Sequence, residues 1–199
     1  MMPVMRFTKS SIVIDRELSD LDRFALEFID VLSSYSQYVV VSGYVAILLG
    51  RARASEDIDI ITKKIDYPTF QLLINKLKRK DFYCLNTEEI RDMYDYLSEY
   101  NPIRFAKKDT IIPNVEMKWA KNRFDMITLE KTMTVKMNRK SLRIPQLELQ
   151  IAFKEAVLKS PKDLEDARHM RNIAEKYLDD VLIQKYKEML HGFYKRKSR

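Results

Sequence analysis

The sequence has few of the residues that build covalent cross-links and soft-metal sites. Among 199 residues there are one cysteine, Cys84, and two histidines, His169 and His191. A single cysteine excludes an intramolecular disulfide and a cysteine-rich zinc site. Because the histidines lie far apart in the sequence, we expect any bound metal to be held by carboxylates, which suit Mg²⁺ or Mn²⁺.

Long hydrophobic runs are also missing. No apolar stretch approaches the roughly 20 residues that a membrane-spanning helix needs, so we expect no membrane partner. The first nine residues contain no extended apolar core and no small-residue cleavage site, which argues against a secretory signal. Hydrophobic residues make up 46% of the chain and charged residues 33%, a balance typical of a globular protein. We expect a cytoplasmic location.

Glycine is scarce and acidic charge is outnumbered. The three glycines are Gly43, Gly50 and Gly192, and we expect each to mark a position that the backbone requires. The formal net charge is +7, and residues 195–199 supply four cations with no acid after Glu188. This end of the chain is consistent with a polyanionic partner such as RNA, and equally with a solvated terminus.

The periodicity of apolar residues changes from mixed to purely helical near residue 145. Before that point, β-rich runs alternate with amphipathic segments, which predicts an α/β (α+β) fold with a mixed β-sheet flanked by helices. After it, three successive helical patterns predict a C-terminal helical bundle. We therefore predict an α/β domain over 1–143, a helical domain over 144–192 and a disordered basic tail over 193–199. The predicted helices are 19–35, 44–49, one beginning at Pro68, 88–100, 146–159, 161–175 and 178–190, and the predicted strands are 37–42, 57–62, 82–85 and 111–119.

Two acids on one predicted strand, Asp57 and Asp59, are the main candidates for a metal site. Side chains alternate across a strand, so Asp57 and Asp59 are predicted to point to the same face. Neighbouring carboxylates repel each other unless a cation or water separates them. A divalent ion held by such a pair can bind the phosphates of a nucleotide and activate an attacking hydroxyl.

The context of these acids resembles the signature of the DNA polymerase β-type nucleotidyltransferase superfamily. A β-rich run ends at Ser42-Gly43, a short helix follows, and the Asp-Ile-Asp strand comes after a polar link. Ser42 stands where that superfamily usually has its first glycine. The resemblance implies that Ser42 and Gly43 bind the triphosphate of an NTP and that Asp57 and Asp59 bind Mg²⁺ or Mn²⁺.

The resemblance also implies a third carboxylate on a later strand. Glu116, in the middle of the predicted strand 111–119, is the favoured residue. Asp125 is the alternative, since it begins another strand-like run. Each acid also has a purely structural interpretation as an exposed charge on a strand.

A second match, in the C-terminal part, resembles the minimal and AbiEii-like toxin branch. It consists of Pro145, Glu148, Lys154 and the run Lys162-Asp163-Leu164-Glu165-Asp166. The resemblance implies that Lys154 contacts nucleotide phosphates and that Asp166 supports the site. The spacing of Asp163 from Ser160 instead predicts a helix cap.

Two residues before the acidic strand complete the predicted site. Arg53 and Ser55 match an Arg-x-Ser-x-Asp-x-Asp element, in which an arginine can bind triphosphate oxygens in a bidentate manner. A surface arginine is the alternative interpretation of Arg53.

The resulting hypothesis is a metal-dependent nucleotidyltransferase that transfers NMP from an NTP to a hydroxyl acceptor. By resemblance the acceptor is RNA such as tRNA, a protein or a small molecule, and the basic charge favours RNA. The alternative is a catalytically degenerate module that binds nucleotide, RNA or a partner protein. A third hypothesis is that the chain is the antitoxin-like partner of a toxin, which predicts co-purification with a second protein. If the chain is instead a toxin-like enzyme, a cognate antitoxin is a possible partner.

Overall fold

The computed structural model describes residues 4–53, 55 and 57–195, and it has the predicted mixture of helices and strands. The α/β fold class is therefore confirmed, although the strands form two sheets and not one. The strands are β1 (Val4–Phe7), β2 (Ser11–Asp15), β3 (Tyr38–Val41), β4 (Asp57–Thr62), β5 (Phe82–Cys84), β6 (Ile103–Lys107), β7 (Asn114–Trp119), β8 (Thr132–Met137) and β9 (Lys140–Pro145).

The helices account for most of the remaining described residues. A π-helical turn, Lys154–Leu158, continues the sixth helix, and a 3₁₀ turn, Glu175–Tyr177, follows the seventh. None of the described helices combines the length and the apolar character needed to cross a membrane. The helices are α1 (Asp20–Leu32), α2 (Gly43–Leu48), α3 (Tyr67–Lys78), α4 (Ile90–Ser98), α5 (Arg123–Glu130), α6 (Leu147–Phe153), α7 (Pro161–Ala174) and α8 (Asp180–Lys195).

The central sheet has the strand order β3-β4-β7-β6-β5. Its inner pair, β4 and β7, runs parallel, and every other pair in this sheet is antiparallel. The apolar residues of β4 alternate with its acids before the strand becomes fully buried at its end, as the sequence pattern predicts for a half-covered strand. The parallel pair places the candidate acids at the centre of the sheet.

The second sheet has the order β1-β2-β8-β9 and was not predicted as a unit. Its strands β1 and β2 precede the first predicted element, and β9 falls on the predicted boundary at 140–145. β2 pairs in parallel with β8, which lies more than a hundred residues later in the chain. Such a distant pairing leaves no local signal in the sequence.

Residues on both sides of the predicted boundary share one hydrophobic core. Val115 of β7, Ile151 of α6 and Leu190 of α8 belong to the same buried cluster. Phe124 and Phe153 stack across the boundary with ring centroids 4.7 Å apart. The C-terminal helices are therefore packed directly on the sheet that carries the acids.

Three sequence predictions differ from the structure in this region. Asp125 lies in α5 and not on a strand, because the Asn122 side chain accepts hydrogen bonds from the amides of Phe124 and Asp125 and caps a helix there. Gly192, which follows the last predicted helix (178–190) and suits a C-terminal cap on it, lies inside α8 and does not end it. The helix continues to Lys195, three residues into the predicted tail, and residues 196–199 lie outside the described part of the chain.

Candidate functional site

Two neighbouring strands bring the candidate acids together. Asp57 and Asp59 are half-buried on one face of β4, whereas Ile58 between them is fully buried on the other. In the parallel register, Asp57 lies opposite Asn114 and Asp59 lies opposite Glu116. Of the two alternatives for a third carboxylate, Glu116 is thus the one that the sheet places beside the Asp pair.

Polar partners hold the outer members of this group. The Asn114 Nδ2 donates to Asp57 Oδ1 at 2.7 Å. The side-chain oxygen of Asn114, Oδ1, is buried and has no hydrogen-bond partner among the described residues. Glu116 Oε2 accepts from Nε and Nη2 of Arg104 at 2.9 and 2.8 Å. Just before β4, Ser55 Oγ donates to the backbone oxygen of Asp57 at 2.9 Å.

Asp59 is the electrostatically strained member of the group. Burial raises its pKa, and the charges of Glu116 and Asp57 raise it further, while a hydrogen bond from Ser42 and the charge of Lys118 oppose the rise. The carboxylate of Asp59 is therefore less stable as an anion here than in water. A cation at this position would relieve the repulsion.

Ser42 has a backbone conformation that favours glycine. Its φ is 67° and its ψ is −137°, a region of the Ramachandran map that side chains strongly disfavour. Its carbonyl oxygen accepts a hydrogen bond from Gln150 Nε2 of α6 at 3.3 Å. The bend between β3 and α2 is thus held on one side by Asp59 of the sheet and on the other by the C-terminal helices.

Gly43 is required by a close contact and not by its own dihedral angles. A Cβ atom at this position would lie 2.9 Å from the guanidinium carbon and nitrogens of Arg53. Arg53 has little freedom to withdraw, because its Nη1 donates to Asp166 Oδ2 at 2.6 Å. The group that approaches the glycine in this structure is therefore the Arg53 guanidinium.

Asp166 is the centre of a buried ion network that joins α7 to this bend. It is fully buried, and it accepts hydrogen bonds from Arg51, Arg53 and Lys154. Lys154 is 1% exposed, and its Nζ donates to Asp166 at 2.8 Å and to Asp163 at 2.9 Å. Every buried charge in the network has a partner of opposite sign, as buried ions require.

The network sorts the predicted site residues into two sets. Asp57, Asp59, Glu116 and Ser42 form one set on the sheet, and Lys154 and Asp166 form the other, connected to it through Arg53. Because Lys154 is buried and shared by two carboxylates, it is not free to contact a nucleotide as the family pattern implies. Asp163 has two roles. Its carboxylate accepts a hydrogen bond from Lys154, and its backbone amide donates to the side chain of Ser160, the N-cap of α7, at 3.2 Å.

A pocket of about 240 Å³ opens beside the acids. Asp59, Glu116 and Lys118 are among the charged residues that line it, and Phe124 and Phe153, whose rings stack on each other, are among the apolar ones. Asp125 also lines the pocket, but its carboxylate accepts from the amide of Lys121 at 2.9 Å and so serves the start of α5. The lining of the pocket therefore combines charged and apolar side chains.

Similarity to known proteins is found among solved structures and not in sequence. No family model matches the chain, and no curated protein matches it. Among solved structures, the chain is similar to an antigenic nucleotidyltransferase-like protein from Paracoccidioides brasiliensis, with 15% identity over 88% of each chain and a TM-score of 0.49. Similarity at this level assigns no reaction, metal or substrate to the present chain, nor a branch within the superfamily.

Four residues of the site were missed from the sequence. Arg51 and Arg104 pair with Asp166 and Glu116, and Asn114 and Gln150 bind Asp57 and the Ser42 carbonyl. The available signal was strongest for Gln150, a polar residue on the otherwise apolar face of a helix. For the arginines the sequence contains no signal, because their partners lie on elements distant in the chain.

Proposed function

We propose that this protein is a metal-dependent nucleotidyltransferase that transfers NMP from an NTP to a hydroxyl acceptor. The observation that carries the proposal is the parallel pairing that sets Asp59 opposite Glu116, with Asp57 on the same face and the Ser42–Gly43 bend beside them. This arrangement gathers negative oxygen ligands next to a concave pocket. Catalysis of phosphoryl transfer depends mainly on positioning the reacting groups and on neutralising the negative charge of the phosphates.

The donor set fits a hard divalent cation in its chemistry. Asp57 and Asp59 offer carboxylate oxygens, and the buried Asn114 Oδ1 is an amide oxygen without a partner in the described structure. Among the described residues, no three aspartate, glutamate, histidine or cysteine side chains are already close enough together to hold a metal ion. Asp57 and Asp59 would hold Mg²⁺ or Mn²⁺, and Glu116 would join them on leaving Arg104. Such an ion supplies Lewis acidity toward phosphate oxygens and the attacking hydroxyl.

The protein's own groups have separate tasks in this proposal. Ser42 fixes the orientation of Asp59, and Arg53 binds phosphate oxygens next to Gly43. The apolar lining of the pocket, which includes Phe124 and Phe153, excludes water from the neighbourhood of the acids. Lys154 is a positioning residue, because it holds Asp166, which holds Arg53.

The alternative function is a non-catalytic binding module. The Arg53 guanidinium packs on Gly43 and is tied to Asp166, so it fills the approach that a phosphate would use. In that case the site binds nucleotide, RNA or a partner protein without transfer. Membership of the AbiEii-like branch and a cognate antitoxin as partner are parts of the enzyme hypothesis.

Nucleotide binding with and without metal tests the proposal. Calorimetry with a non-hydrolysable NTP should show binding in Mg²⁺ or Mn²⁺ that EDTA abolishes. The double variant Asp57→Asn/Asp59→Asn should lose this binding. The control Glu88→Gln/Glu89→Gln removes two exposed acids of the same charge and should bind as the wild type does.

A transfer assay separates the enzyme from the module. With NTP labelled at the α-phosphate, the wild type should label RNA or protein, and the Asp57→Asn/Asp59→Asn variant should not. Metal-independent nucleotide binding that survives this double substitution, with no labelling in either metal, would refute the enzyme and favour the module.

A further inference from the structure

A second concave surface lies between the end of α1, the start of β3 and the turn that joins β8 to β9. Its volume is about 930 Å³, and we call it the hairpin groove. Residues with charged or hydrogen-bonding side chains dominate its lining. Among them are Asp30, Tyr35, Thr134, Arg139, Lys140 and Arg143.

The charge of the hairpin groove is positive and largely unneutralised. Asp30 is the one acid among its lining residues, and Lys140 pairs with it. Arg139 and Arg143 are exposed and form no ion pair with any residue that the structure describes. Three cations thus face one carboxylate, which leaves two guanidinium groups available to bind phosphate.

Neutral groups in the hairpin groove suit a nucleotide chain. The hydroxyl groups of Thr134 and Ser141 have no hydrogen-bond partner in the described part of the protein. Free hydroxyls of this kind can pair with the 2′-hydroxyl that distinguishes RNA from DNA. The half-buried ring of Tyr35 offers a surface on which a base can stack.

Strand β9 connects the hairpin groove to the pocket beside the acids. Arg143 lines the groove, and Pro145, two residues later and therefore on the same face of the strand, lines the pocket. At roughly 3.3 Å per residue, the two positions are about 7 Å apart. One or two nucleotides are enough to cover that distance.

We infer that the hairpin groove binds the phosphate backbone of a single-stranded RNA whose terminal hydroxyl reaches the pocket at Asp59. The inference rests on the proposed function for the role of that hydroxyl as acceptor. The binding itself depends only on Arg139, Arg143 and the groove hydroxyls, and requires neither metal nor NTP.

Fluorescence anisotropy with a labelled, unstructured RNA of about 12 nucleotides tests the inference. In EDTA and low salt, the Arg139→Gln/Arg143→Gln variant should bind about tenfold more weakly than the wild type. The magnitude of the slope of log K against log salt should fall by about 1.4, since two phosphate contacts of a single strand are lost. The control Lys76→Gln/Arg79→Gln removes the same charge from exposed positions at the C-terminal end of α3, where neither residue lines the groove, and should change the affinity less than twofold.

Several results would overturn the inference. They are absence of RNA binding by the wild type, equal losses in the groove and control variants, and equal affinity for DNA of the same sequence. Binding of phosphatidylserine vesicles that depends on Arg139 and Arg143 would overturn it in favour of a lipid surface.

The two proposals fail in distinguishable ways. The Asp57→Asn/Asp59→Asn variant should bind RNA with wild-type affinity while losing metal-dependent NTP binding. Normal RNA binding without any transfer refutes the enzyme alone. Metal-dependent NTP binding without any RNA binding refutes the hairpin groove alone.

Discussion

Ser42, and not Gly43, has the backbone conformation that glycine usually supplies. The dihedral angles that favour glycine fall on Ser42, whereas Gly43 is needed because Arg53 packs against its Cα. A serine in such a conformation costs on the order of 1–3 kcal/mol. The hydroxyl that contacts Asp59 is the one feature of Ser42 that glycine cannot supply.

Replacing Ser42 separates strain from hydrogen bonding. Ser42→Gly should stabilise the protein by about 1 kcal/mol, which raises Tm by about 2–4 °C for a chain of this size. Ser42→Ala should lower Tm instead, because it keeps the strain and loses the hydroxyl. Thermal unfolding followed by circular dichroism measures both. A Ser42→Gly protein that is less stable than Ser42→Ala would contradict the strained conformation.

The burial of Lys154 gives a prediction for stability. Lys154→Met keeps the volume of the side chain but leaves Asp163 and Asp166 without their shared cation. Because unpairing a buried ion is costly, the free energy of unfolding should fall by about 3 kcal/mol. Urea denaturation measures the change.

The matched control for this variant is Lys162→Met, in which an exposed lysine of the next helix is replaced. It should change the free energy of unfolding by less than about 0.5 kcal/mol. If the two variants are equally stable, Lys154 is not the buried partner that the structure shows.

At the scale of elements, the start of α1 is held by more than a helix cap. Ser19 and Asp22 form a reciprocal capping box, as the sequence predicts. Asp22 is also fully buried and accepts hydrogen bonds from Arg16 and from the Tyr44 hydroxyl of α2, the latter at 2.8 Å. The carboxylate of Asp22 therefore links α1 to the segment before it and to α2, the helix that begins at Gly43.

The pKa of Asp22 makes this tie dependent on pH. Burial alone would raise that pKa, but the hydrogen bonds from Arg16, Ser19 and Tyr44 outweigh it, and the net shift is downward. Since the unfolded pKa is about 3.9, the stabilisation is complete well above that pH and is lost as the pH falls through the lower folded value.

Asp22→Asn should therefore cost about 3 kcal/mol near neutral pH and progressively less in acid. Urea unfolding of wild type and variant at several pH values down to about 3 measures the difference between them. Asp20→Asn, which removes an exposed acid of the same helix turn, should change the free energy of unfolding by less than about 0.5 kcal/mol. A gap between wild type and Asp22→Asn that stays constant with pH would rule out the lowered pKa.

At the scale of the whole molecule, local patterns predicted the centre of the protein and missed its edges. The alternation in β4 and the mid-strand position of Glu116 were sufficient to place the acids, because side-chain direction in a strand follows from spacing alone. The β1–β2 pair and α5 were missed. β1 and β2 are stabilised by pairing with a distant strand, and the cap at Asn122 was outweighed by the apolar residues after it.

The candidate site shows the same division. Residues within one motif, such as Asp57, Asp59 and Ser42, were predicted together. Their partners Arg51, Arg104 and Asn114 come from other elements and are defined only by tertiary packing. Lys154 and Asp166 were identified through family resemblance, but their pairing with each other, which makes Lys154 unavailable to a ligand, is visible only in the structure.

The shared core predicts cooperative unfolding of the whole chain. Trp119, the only tryptophan, is 1% exposed on β7 and reports on the sheet, whereas far-ultraviolet circular dichroism is dominated by the helices. Because residues of β7, α6 and α8 belong to one buried cluster, the two signals should give the same midpoint in urea. Two separated transitions would show that the helices after residue 145 form an independent unit.

The register of β4 against β7 also determines when the proposed site can form during folding. Asp57 and Asn114 are 57 positions apart in the chain, and they meet only through long-range strand pairing. Contacts of this kind form late because the intervening loop must first be closed at an entropic cost. During refolding from denaturant, the helical signal should therefore return before the proposed metal-dependent nucleotide binding, which a partly folded chain would lack.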